Sequence, residues 1–588
     1  MKRLLESFRL SRFASMFGAV GFLIMPKLFA HLFAGHITLI YAVCWTPWLI
    51  LNQNVNRRNS RWLLNGAILG LIALADVRWL AYASLLWIGY CLYQYFQKER
   101  KLSIKITAVE IFAVLSLAIL LSAVLLIPLV QYVELSTRGS MGQSDTAVNS
   151  LPIEEIFGLW IPDFGGFAEW VLYPGAVVFC LAVYSLVIPE IRKRTLFWWI
   201  VFLVSLLLSF GDSLPIYGAV SSLPGMDLLR VPTRFYFLAG QALLIIAAHG
   251  LDDLMQRKDV FRPDPVFFMT PFLAFCGFFG LGFYFFEGIV PDNLLWGFMI
   301  FLLTIILIAL IERKKQHLSL AVGLLVVISI IDLSMVNFQS VKIIKPDYIY
   351  SEGRRAAEYI KSRGDNFRIY SPSYSIPQHT AAIFNIRMVN GVDPMILHKY
   401  QTFFEKASGV PVSEYSVTLP PFPNGEPKTD NRNYEPDLEL MSLLGVRFIV
   451  SEFDIASLEN YKIEQFSSTR IYENPKFFGL AWVERNGEKI PVDNIKMEAD
   501  KIEISYSDSG KLFVSHVLYP GWVAYLDGEI FSISTVYDLF PVFETVSNGQ
   551  HILMLEFHPR LVSWGSILSV ISWMLVGLIV ALQHKNAR

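Results

Sequence analysis

The order of apolar and polar segments constrains this chain more than any other feature of its sequence. Between residues 10 and 338 it runs as about eleven apolar segments, and roughly 220 residues of ordinary soluble composition follow. One more apolar segment, Val562 to Leu582, closes the chain. Because an apolar helix of roughly 20 residues spans a bilayer, this order predicts a polytopic α-helical membrane protein with a folded domain tethered at both ends.

The sequence predicts about twelve membrane spans, and several are shorter than the roughly 20 residues that a perpendicular helix needs. The spans are 10–30, 36–52, 62–76, 79–96, 107–128, 172–189, 195–211, 235–251, 264–286, 294–311, 318–338 and 562–582.

Basic residues predict the orientation of these spans. Alternate connections, together with the two ends of the chain, hold 22 Lys and Arg residues, whereas the short connections of the other face hold five at most. Connections rich in Lys and Arg stay cytoplasmic. We therefore expect a multi-pass plasma-membrane protein with both termini cytoplasmic and residues 339–560 extracytoplasmic. The five outer cations are Lys27, Arg78, Arg138, Arg230 and Arg234.

Composition excludes several other classes of protein. The net charge of −1, with no zinc-finger, helicase or RNA-binding motif, gives no reason to expect a nucleic-acid partner. The four cysteines, Cys44, Cys91, Cys180 and Cys276, all lie in apolar segments. A disulfide framework or a cysteine metal site in the external domain is therefore excluded.

The periodicity of apolar residues changes within the predicted external domain. Residues 352–371 and 438–452 each read as a helix followed by a strand, whereas from about residue 477 apolar residues alternate as in half-buried strands. Asp527-Gly528 and Asn548-Gly549 are predicted to form hairpin turns, because type I′ turns demand positive φ. Four parts are therefore predicted. They are a membrane domain at 1–338, an external α/β portion at 339–475, an external β-sandwich-like module at 476–560, and a membrane helix with a cytoplasmic tail at 561–588.

Several motifs, in this order and with this topology, resemble those of YfhO-type membrane proteins and together cover most of the chain. That family is similar to glycosyltransferases of the C-type (GT-C) membrane fold. The resemblance implies transfer of a sugar from a polyprenyl-phosphate donor to a cell-envelope glycan or lipid-linked acceptor on the outer face, among membrane lipids. The motifs are FAGHITLIYAVCWTPWLI (33–50), RVPTRF (230–235), LLGVRFIVSE (443–452), YPGWVAYLDGE (519–529) and SNGQHILMLEFHP (547–559).

Such a reaction needs cations that hold the departing lipid phosphate, and arginine suits bidentate contact with phosphate. Arg230 and Arg234 flank Pro232, whose fixed φ predicts a rigid presentation. Arg78 and Arg138 lie in other outer connections. All four are predicted to bind the lipid phosphate, although each could instead pair with a nearby acid or extend to lipid headgroups.

The reaction also needs a carboxylate that activates the acceptor hydroxyl. Asp76, at the outer end of the third span, is the first candidate, and Asp163, in a long outer loop with Gly165 and Gly166, is the second. Helical spacing predicts that His31 and Lys27 share one face. His31 and His36 are candidates for interfacial phosphate or metal binding. Their spacing is weak for a metal site, so no firmly required metal or other cofactor is predicted, with a divalent cation as the alternative.

One departure from the family pattern bears on activity. C-type glycosyltransferases carry their catalytic acid in the first outer loop, whereas residues 7–23 of this chain resemble a region that follows that loop. The sequence therefore leaves open an N-terminally truncated enzyme, a role for Asp76 or Asp163, and an inactive relative. A transporter or flippase of lipid-linked glycans and a non-catalytic cell-envelope scaffold are the alternatives from other functional classes.

Overall fold

A computed structural model describes residues 1–55, 58–97, 103–163, 166–222, 229–256, 277, 291–313, 318–341, 343–412, 415–545 and 549–586. It divides into two compact units, which we call the helical unit and the β-rich unit. The helical unit comprises Met1–Leu126, Gly142–Lys342 and Gly565–Arg588, and the β-rich unit comprises Ile127–Met141 and Ile343–Trp564. The sequence did not predict that residues 127–141 would belong to the β-rich unit.

Helices account for most of the regular structure in the first half of the chain. Proline occupies the first position of several of them, where its missing N–H is not needed and its fixed φ suits the helix. The helices are α1 (Lys2–Ser7), α2 (Arg12–Leu23), α3 (Pro26–Phe33), α4 (Ile37–Val55), α5 (Arg58–Ala75), α6 (Val77–Phe96), α7 (Ile104–Leu121), α8 (Ala123–Leu135), α9 (Gln143–Thr146), α10 (Ala176–Val187), α11 (Pro189–Ser209), α12 (Ile216–Ser221), α13 (Tyr236–Gln256), α14 (Pro291–Arg313) and α15 (Leu318–Ser340). Short 3-10 helices at Thr137–Ser140, Ile153–Leu159, Gly211–Ser213 and Pro232–Phe235 lie in the connections.

Six helical segments of the described residues are long and apolar enough to cross a membrane. The prediction of a multi-pass helical membrane protein is thereby confirmed, whereas the count of about twelve spans stays a prediction. The predicted span 264–286 lies outside the described residues. The six segments are Arg12–Phe33, Ile104–Leu121, Pro232–Gln256, Asp292–Glu312, Ser319–Ser340 and Arg560–Gln583.

The predicted span 107–128 differs from the structure, because two helices meet within it at Ser122. Helix α7 ends at Leu121 and α8 begins at Ala123. The hydroxyl of Ser122 donates to the Ala118 carbonyl at 2.7 Å, so the side chain competes with the backbone for helical hydrogen bonds. Hydropathy is unbroken across the junction, which explains why the sequence suggested a single span.

Helix α13 forms the centre of the helical unit. In its membrane-length segment 94% of the residues are buried, and it packs against α2, α10 and α11. Gly250 allows the close approach to α10, because a Cβ at that position would collide with the Leu181 carbonyl. The middle of α13, residues 242–248, is apolar on every side and therefore has no polar face to expose.

The β-rich unit begins with an α/β portion. Its four-stranded sheet has the order β1-β4-β6-β5, with β1 and β4 parallel. As the sequence predicted, a helix precedes β1 and another precedes β4. The helices of this unit are α16 (Pro346–Ile349), α17 (Arg354–Lys361), α18 (Gln378–Ile383), α19 (His398–Ser408) and α20 (Leu438–Leu443), and the 3-10 helix Ala456–Tyr461 lies between β4 and β5. The strands are β1 (Arg368–Tyr370), β2 (Gly391–Val392), β3 (Thr418–Leu419), β4 (Val446–Ser451), β5 (Lys462–Phe466) and β6 (Thr469–Glu473).

Two five-stranded sheets follow, with the orders β13-β12-β16-β10-β9 and β14-β15-β11-β7-β8. Ile502 and Leu512, which lie on different sheets, share one buried core. Asp527 and Gly528 have φ values of 53° and 89°, so they form the predicted tight turn between β12 and β13. The predicted turn residue Asn548 lies outside the described residues. The strands are β7 (Ala481–Arg485), β8 (Glu488–Pro491), β9 (Ile495–Met497), β10 (Lys501–Tyr506), β11 (Gly510–Val514), β12 (Trp522–Leu526), β13 (Glu529–Phe531), β14 (Ser534–Val536), β15 (Phe540–Thr545) and β16 (His551–Phe557), and α21 (Arg560–Asn586) ends the chain.

Candidate functional site

Charged side chains from four separate connections meet inside the helical unit. These are the connections that the charge pattern assigns to the outer face. The group, which we call the polar cluster, matters because charged side chains buried among apolar helices are costly and usually serve a function. The polar cluster consists of Lys27, His31, His36, Asp76, Arg78, Glu169 and Arg234.

Glu169 is the centre of the polar cluster. Its side chain is only 5% exposed, and it accepts hydrogen bonds from two directions. Arg234 Nη2 lies 2.8 Å from Oε1, and His31 Nε2 lies 2.9 Å from Oε2. Lys27 Nζ donates to the main-chain carbonyl of Glu169. Because all three oxygen atoms of Glu169 accept hydrogen bonds, the carboxylate can remain buried.

Helix α3 supplies Lys27 and His31. The two residues are one helical turn apart, so they lie on the same face, as the sequence predicted. His31 Nδ1 also lies 3.1 Å from the Lys27 carbonyl oxygen. Both ring nitrogens of His31 therefore face acceptors. A neutral ring can donate from only one nitrogen, and a proton on Nε2 serves the Glu169 carboxylate.

Arg234 reaches Glu169 from the RVPTR segment. Val231 has the left-handed backbone angles φ 70° and ψ 80°, and Pro232 begins the 3-10 helix Pro232–Phe235. A left-handed conformation is uncommon for a β-branched residue. The surrounding structure holds this turn, and it directs Arg234 inward, where the residue is 6% exposed.

Asp76 and Arg78 form the more open side of the polar cluster. Asp76 caps α6 by accepting from the Arg78 backbone N–H at 3.0 Å, and it also accepts from Arg78 Nε at 2.9 Å. Asp76 is buried, whereas the side chain of Arg78 is 37% exposed. Thr38, at the start of α4, donates to Asp76 Oδ2 at 3.5 Å. Arg78 is therefore the cation of the cluster that a ligand can reach most easily.

Electrostatics ties the two sides of the cluster together. Burial opposes ionisation of Glu169, but the hydrogen bond from His31 and the charges of Lys27 and Arg234 outweigh it, so the pKa of Glu169 lies well below its usual range. The positive charge of Arg234 also acts on His36, on the open side of the cluster. His36 Nδ1 is buried and has no hydrogen-bond partner among the described residues.

The charges of the polar cluster do not balance. Arg78 and Arg234 match the carboxylates of Asp76 and Glu169, so the excess rests on the buried Lys27, which adds a positive charge when it is protonated. A neutral His31 and a neutral His36 would leave one positive charge in excess, and protonation would increase it. A buried site with excess positive charge and N–H donors is suited to an anion.

A metal ion fits the polar cluster less well than an anion. One potential ligand atom from each of His31, His36 and Glu169 lies within 4.8 Å of the others, and the His31 and His36 ring centroids are 5.2 Å apart. However, Lys27 and Arg234 already hold the same glutamate. Like charge at this range disfavours a divalent cation. The two predicted histidines thus lie close together, and their role stays a prediction.

Three predicted site residues, Asp163, Arg138 and Arg230, are not members of the polar cluster as defined above. Asp163 is half-buried in the helical unit, and burial raises its pKa. Its charge also contributes to the raised pKa of Glu155, in which burial is the larger cause. Arg138 belongs to the β-rich unit, and Arg230 is half-buried, two residues before Pro232. Gly165 lies outside the described residues, and Gly166 packs against the Asp163 carboxylate. The roles of these residues stay predictions.

Sequence reasoning missed Glu169, the residue that organises the polar cluster. It lies in a long connection that also contains Glu154, Glu155 and Asp163. No local pattern distinguishes it from those acids. Only its position between aromatic residues, in FAEW, indicated a buried environment. The aromatic wall of the site was also missed: Phe237 packs against His31, with ring centroids 4.8 Å apart, and against Trp79 at 5.6 Å.

The chain is similar to one protein family and to two solved structures. The family described as "Bacterial membrane protein YfhO" matches residues 79–489. No curated protein matches the chain. Two solved cryo-EM structures of the arabinofuranosyltransferase AftD from Mycobacteria, one of them a mutant, match with 10% sequence identity and a TM-score of 0.41. The matches cover 95% and 94% of this chain and 50% and 52% of those chains, so this chain spans about half their length.

Proposed function

We propose, because this chain belongs to the bacterial membrane protein YfhO family, that it is a membrane glycosyltransferase-like protein. It takes a sugar from a polyprenyl-phosphate donor and transfers it to a cell-envelope glycan or lipid-linked acceptor on the outer face. The observation that carries the proposal is the excess positive charge of the polar cluster, buried among apolar helices at connections that the charge pattern assigns to the outer face.

The lipid phosphate docks on the open side of the polar cluster. Arg78 and His36 offer N–H donors there, and Arg234 adds a positive charge from behind. Glu169 has a positioning role, since it holds Arg234 and His31 in place. Charge-assisted hydrogen bonds of this kind are roughly twice as strong as neutral ones, and a phosphate leaving group needs them most as its negative charge develops.

The acceptor hydroxyl needs a base, and the two candidate carboxylates differ in their surroundings. Asp76 is bound to Arg78 through its side chain, which makes its carboxylate a poor proton acceptor. Asp163 has a raised pKa because of burial, and a base is most effective when its pKa approaches the working pH. We assign Asp163 the role of base and Asp76 the role of orienting Arg78.

Binding of undecaprenyl phosphate to the full chain in nanodiscs tests the first step. Arg78→Gln is expected to weaken binding about 10- to 100-fold, since losing a hydrogen bond to a charged group costs roughly 1.5–3 kcal/mol. Arg354→Gln removes a comparable exposed arginine of the β-rich unit and should leave binding unchanged. Equal binding by both variants and the unaltered protein would contradict the proposed phosphate site.

Transfer from a radiolabelled polyprenyl-phosphate sugar to envelope glycans tests the second step. Formation of a glycosylated product that requires both Arg78 and Asp163 supports the proposed glycosyltransferase activity. Donor binding without any product would instead favour a non-catalytic scaffold of the cell envelope. Movement of the lipid-linked sugar between leaflets without its cleavage would favour a flippase.

A further inference from the structure

The β-rich unit contains a cavity of about 350 Å³ that shares no lining residue with the polar cluster. All of its lining residues belong to this unit, including Tyr132 from the 127–141 segment. Its volume falls within the roughly 300–1,000 Å³ of small-molecule sites. The cavity lies beside the two-stranded β2–β3 sheet and the segment 393–397 that follows it.

Two tyrosines form part of the wall, and the main chain fixes both. The Tyr132 hydroxyl donates to the Met395 carbonyl at 2.7 Å, and the Tyr400 hydroxyl donates to the Val389 carbonyl. The Thr137 N–H also donates to the Ile396 carbonyl at 2.8 Å, which holds the 127–141 segment against this wall. The rings are therefore pre-positioned, and a ligand does not have to order them.

Polar groups in the cavity have hydrogen-bonding capacity to spare. The side-chain amide of Gln378 has no partner among the described residues, and it lies over Gly391, where a Cβ would collide with it. Asp393 Oδ1 accepts from the Met395 N–H at 2.7 Å, which leaves Oδ2 available. In contrast, Asn390 is occupied, because it accepts from the Ser371 N–H at 2.9 Å.

The chemistry of the lining selects a class of ligand. The lining residues include one carboxylate and no lysine or arginine, so an anion such as a phosphate is disfavoured. An amide and a carboxylate together can both donate to and accept from hydroxyl groups. Fixed tyrosine rings present apolar faces with a polar edge, which suits the apolar face of a sugar ring. We propose that this cavity binds a neutral sugar unit of an oligosaccharide.

The proposal concerns a second site and does not depend on sugar transfer at the polar cluster. Saturation-transfer difference NMR on the full chain in nanodiscs tests it, with neutral trisaccharides of glucose, galactose, mannose and rhamnose as probes. At least one trisaccharide is expected to bind to the unaltered protein. The Arg78→Gln protein should bind it equally, so a failure of the proposed donor site does not affect this result.

Two substitutions address the cavity directly. Asp393→Asn should weaken binding about tenfold or more, because it removes a charged acceptor. Gly391→Val should abolish binding by displacing Gln378 into the cavity, and Gly391 does not have a positive φ, so its backbone accepts a side chain. Asp508, a half-buried acid at the β10–β11 turn, provides the control. The Asp508→Asn protein should bind the trisaccharide normally.

Thermal unfolding of each variant separates loss of the site from loss of the fold. Lost trisaccharide binding by Asp393→Asn and Gly391→Val at an unchanged unfolding temperature supports the sugar site. No binding of any probe at millimolar concentration would overturn the proposal, as would binding that both cavity variants retain. Displacement of a bound trisaccharide by an unglycosylated peptide would also overturn it, since the cavity would then be a peptide-binding site.

Discussion

Arg234 Nη2 donates to Glu169 Oε1 at 2.8 Å, across 65 residues of chain. The two side chains are 7% and 5% exposed, so both charges are removed from solvent. In such a pair the attraction mainly offsets the cost of desolvation. Loss of one partner is therefore more damaging than the net stability of the pair suggests, because the other charge remains buried.

Glu169→Gln should consequently destabilise the helical unit by about 3–5 kcal/mol, the usual cost of leaving one member of a buried pair unpaired. Reversible unfolding in mixed micelles measures this change. Glu473→Gln disrupts the half-exposed Arg447–Glu473 pair and should cost under about 1 kcal/mol. Equal stabilities of the two variants would show that Glu169 does not balance the buried cations.

Asp76→Asn and Asp163→Asn should separate orientation from proton transfer. Asp163→Asn is expected to lower the rate of sugar transfer by about 100- to 10,000-fold without changing donor affinity, since it removes a general base. Asp76→Asn should mainly weaken donor binding, since it releases Arg78. Steady-state transfer assays, with separate donor-binding measurements, compare the two variants. Full transfer activity in Asp163→Asn would instead assign the base to Asp76 or to another acid.

The β-rich unit should become less stable in mild acid because of His516. Burial, followed by the charge of Arg368, lowers the pKa of His516 to about 4, against about 6.5 for an unfolded histidine. The stability that depends on a neutral His516 is therefore complete above about pH 6.5 and is lost as the pH falls towards about 4.

Unfolding of the β-rich unit between pH 7 and pH 4 measures this effect. His516→Gln should reduce the loss of stability across that interval. His558→Gln, which alters a half-exposed histidine, should leave the loss unchanged. If His516→Gln and the unaltered protein lose equal stability, other groups control the acid response.

Cysteine labelling in intact cells should place the β-rich unit outside the cytoplasm. In a protein whose four native cysteines have been replaced, Cys at positions 340 and 486 (Ser340→Cys, Asn486→Cys) should react with an impermeant reagent. Lys585→Cys should react only after the cells are opened, because basic ends stay cytoplasmic. Protection of the first two positions would reverse the predicted orientation.

The sequence predicted much of the fold, because the signals involved are local. Hydropathy located the six helical segments long enough to cross a membrane, and the change to a period of two indicated the strands that follow residue 477. The Asp527–Gly528 turn could be predicted because type I′ turns require positive φ at both central residues. The break at Ser122 was missed, since hydropathy does not register a local change of backbone angles.

The sequence alone determined which kind of residue could form the site, but the tertiary structure decided which of them meet. Charge alternation assigned Lys27, Arg78 and Arg234 to one face, and helical spacing paired Lys27 with His31. In the sequence Glu169 resembles its neighbouring acids, and only the structure shows that it is buried beside Arg234. The physical reason is that hydrophobicity and backbone propensity act over a few neighbouring residues. The pairing of buried charges depends instead on which distant side chains packing brings within hydrogen-bond distance.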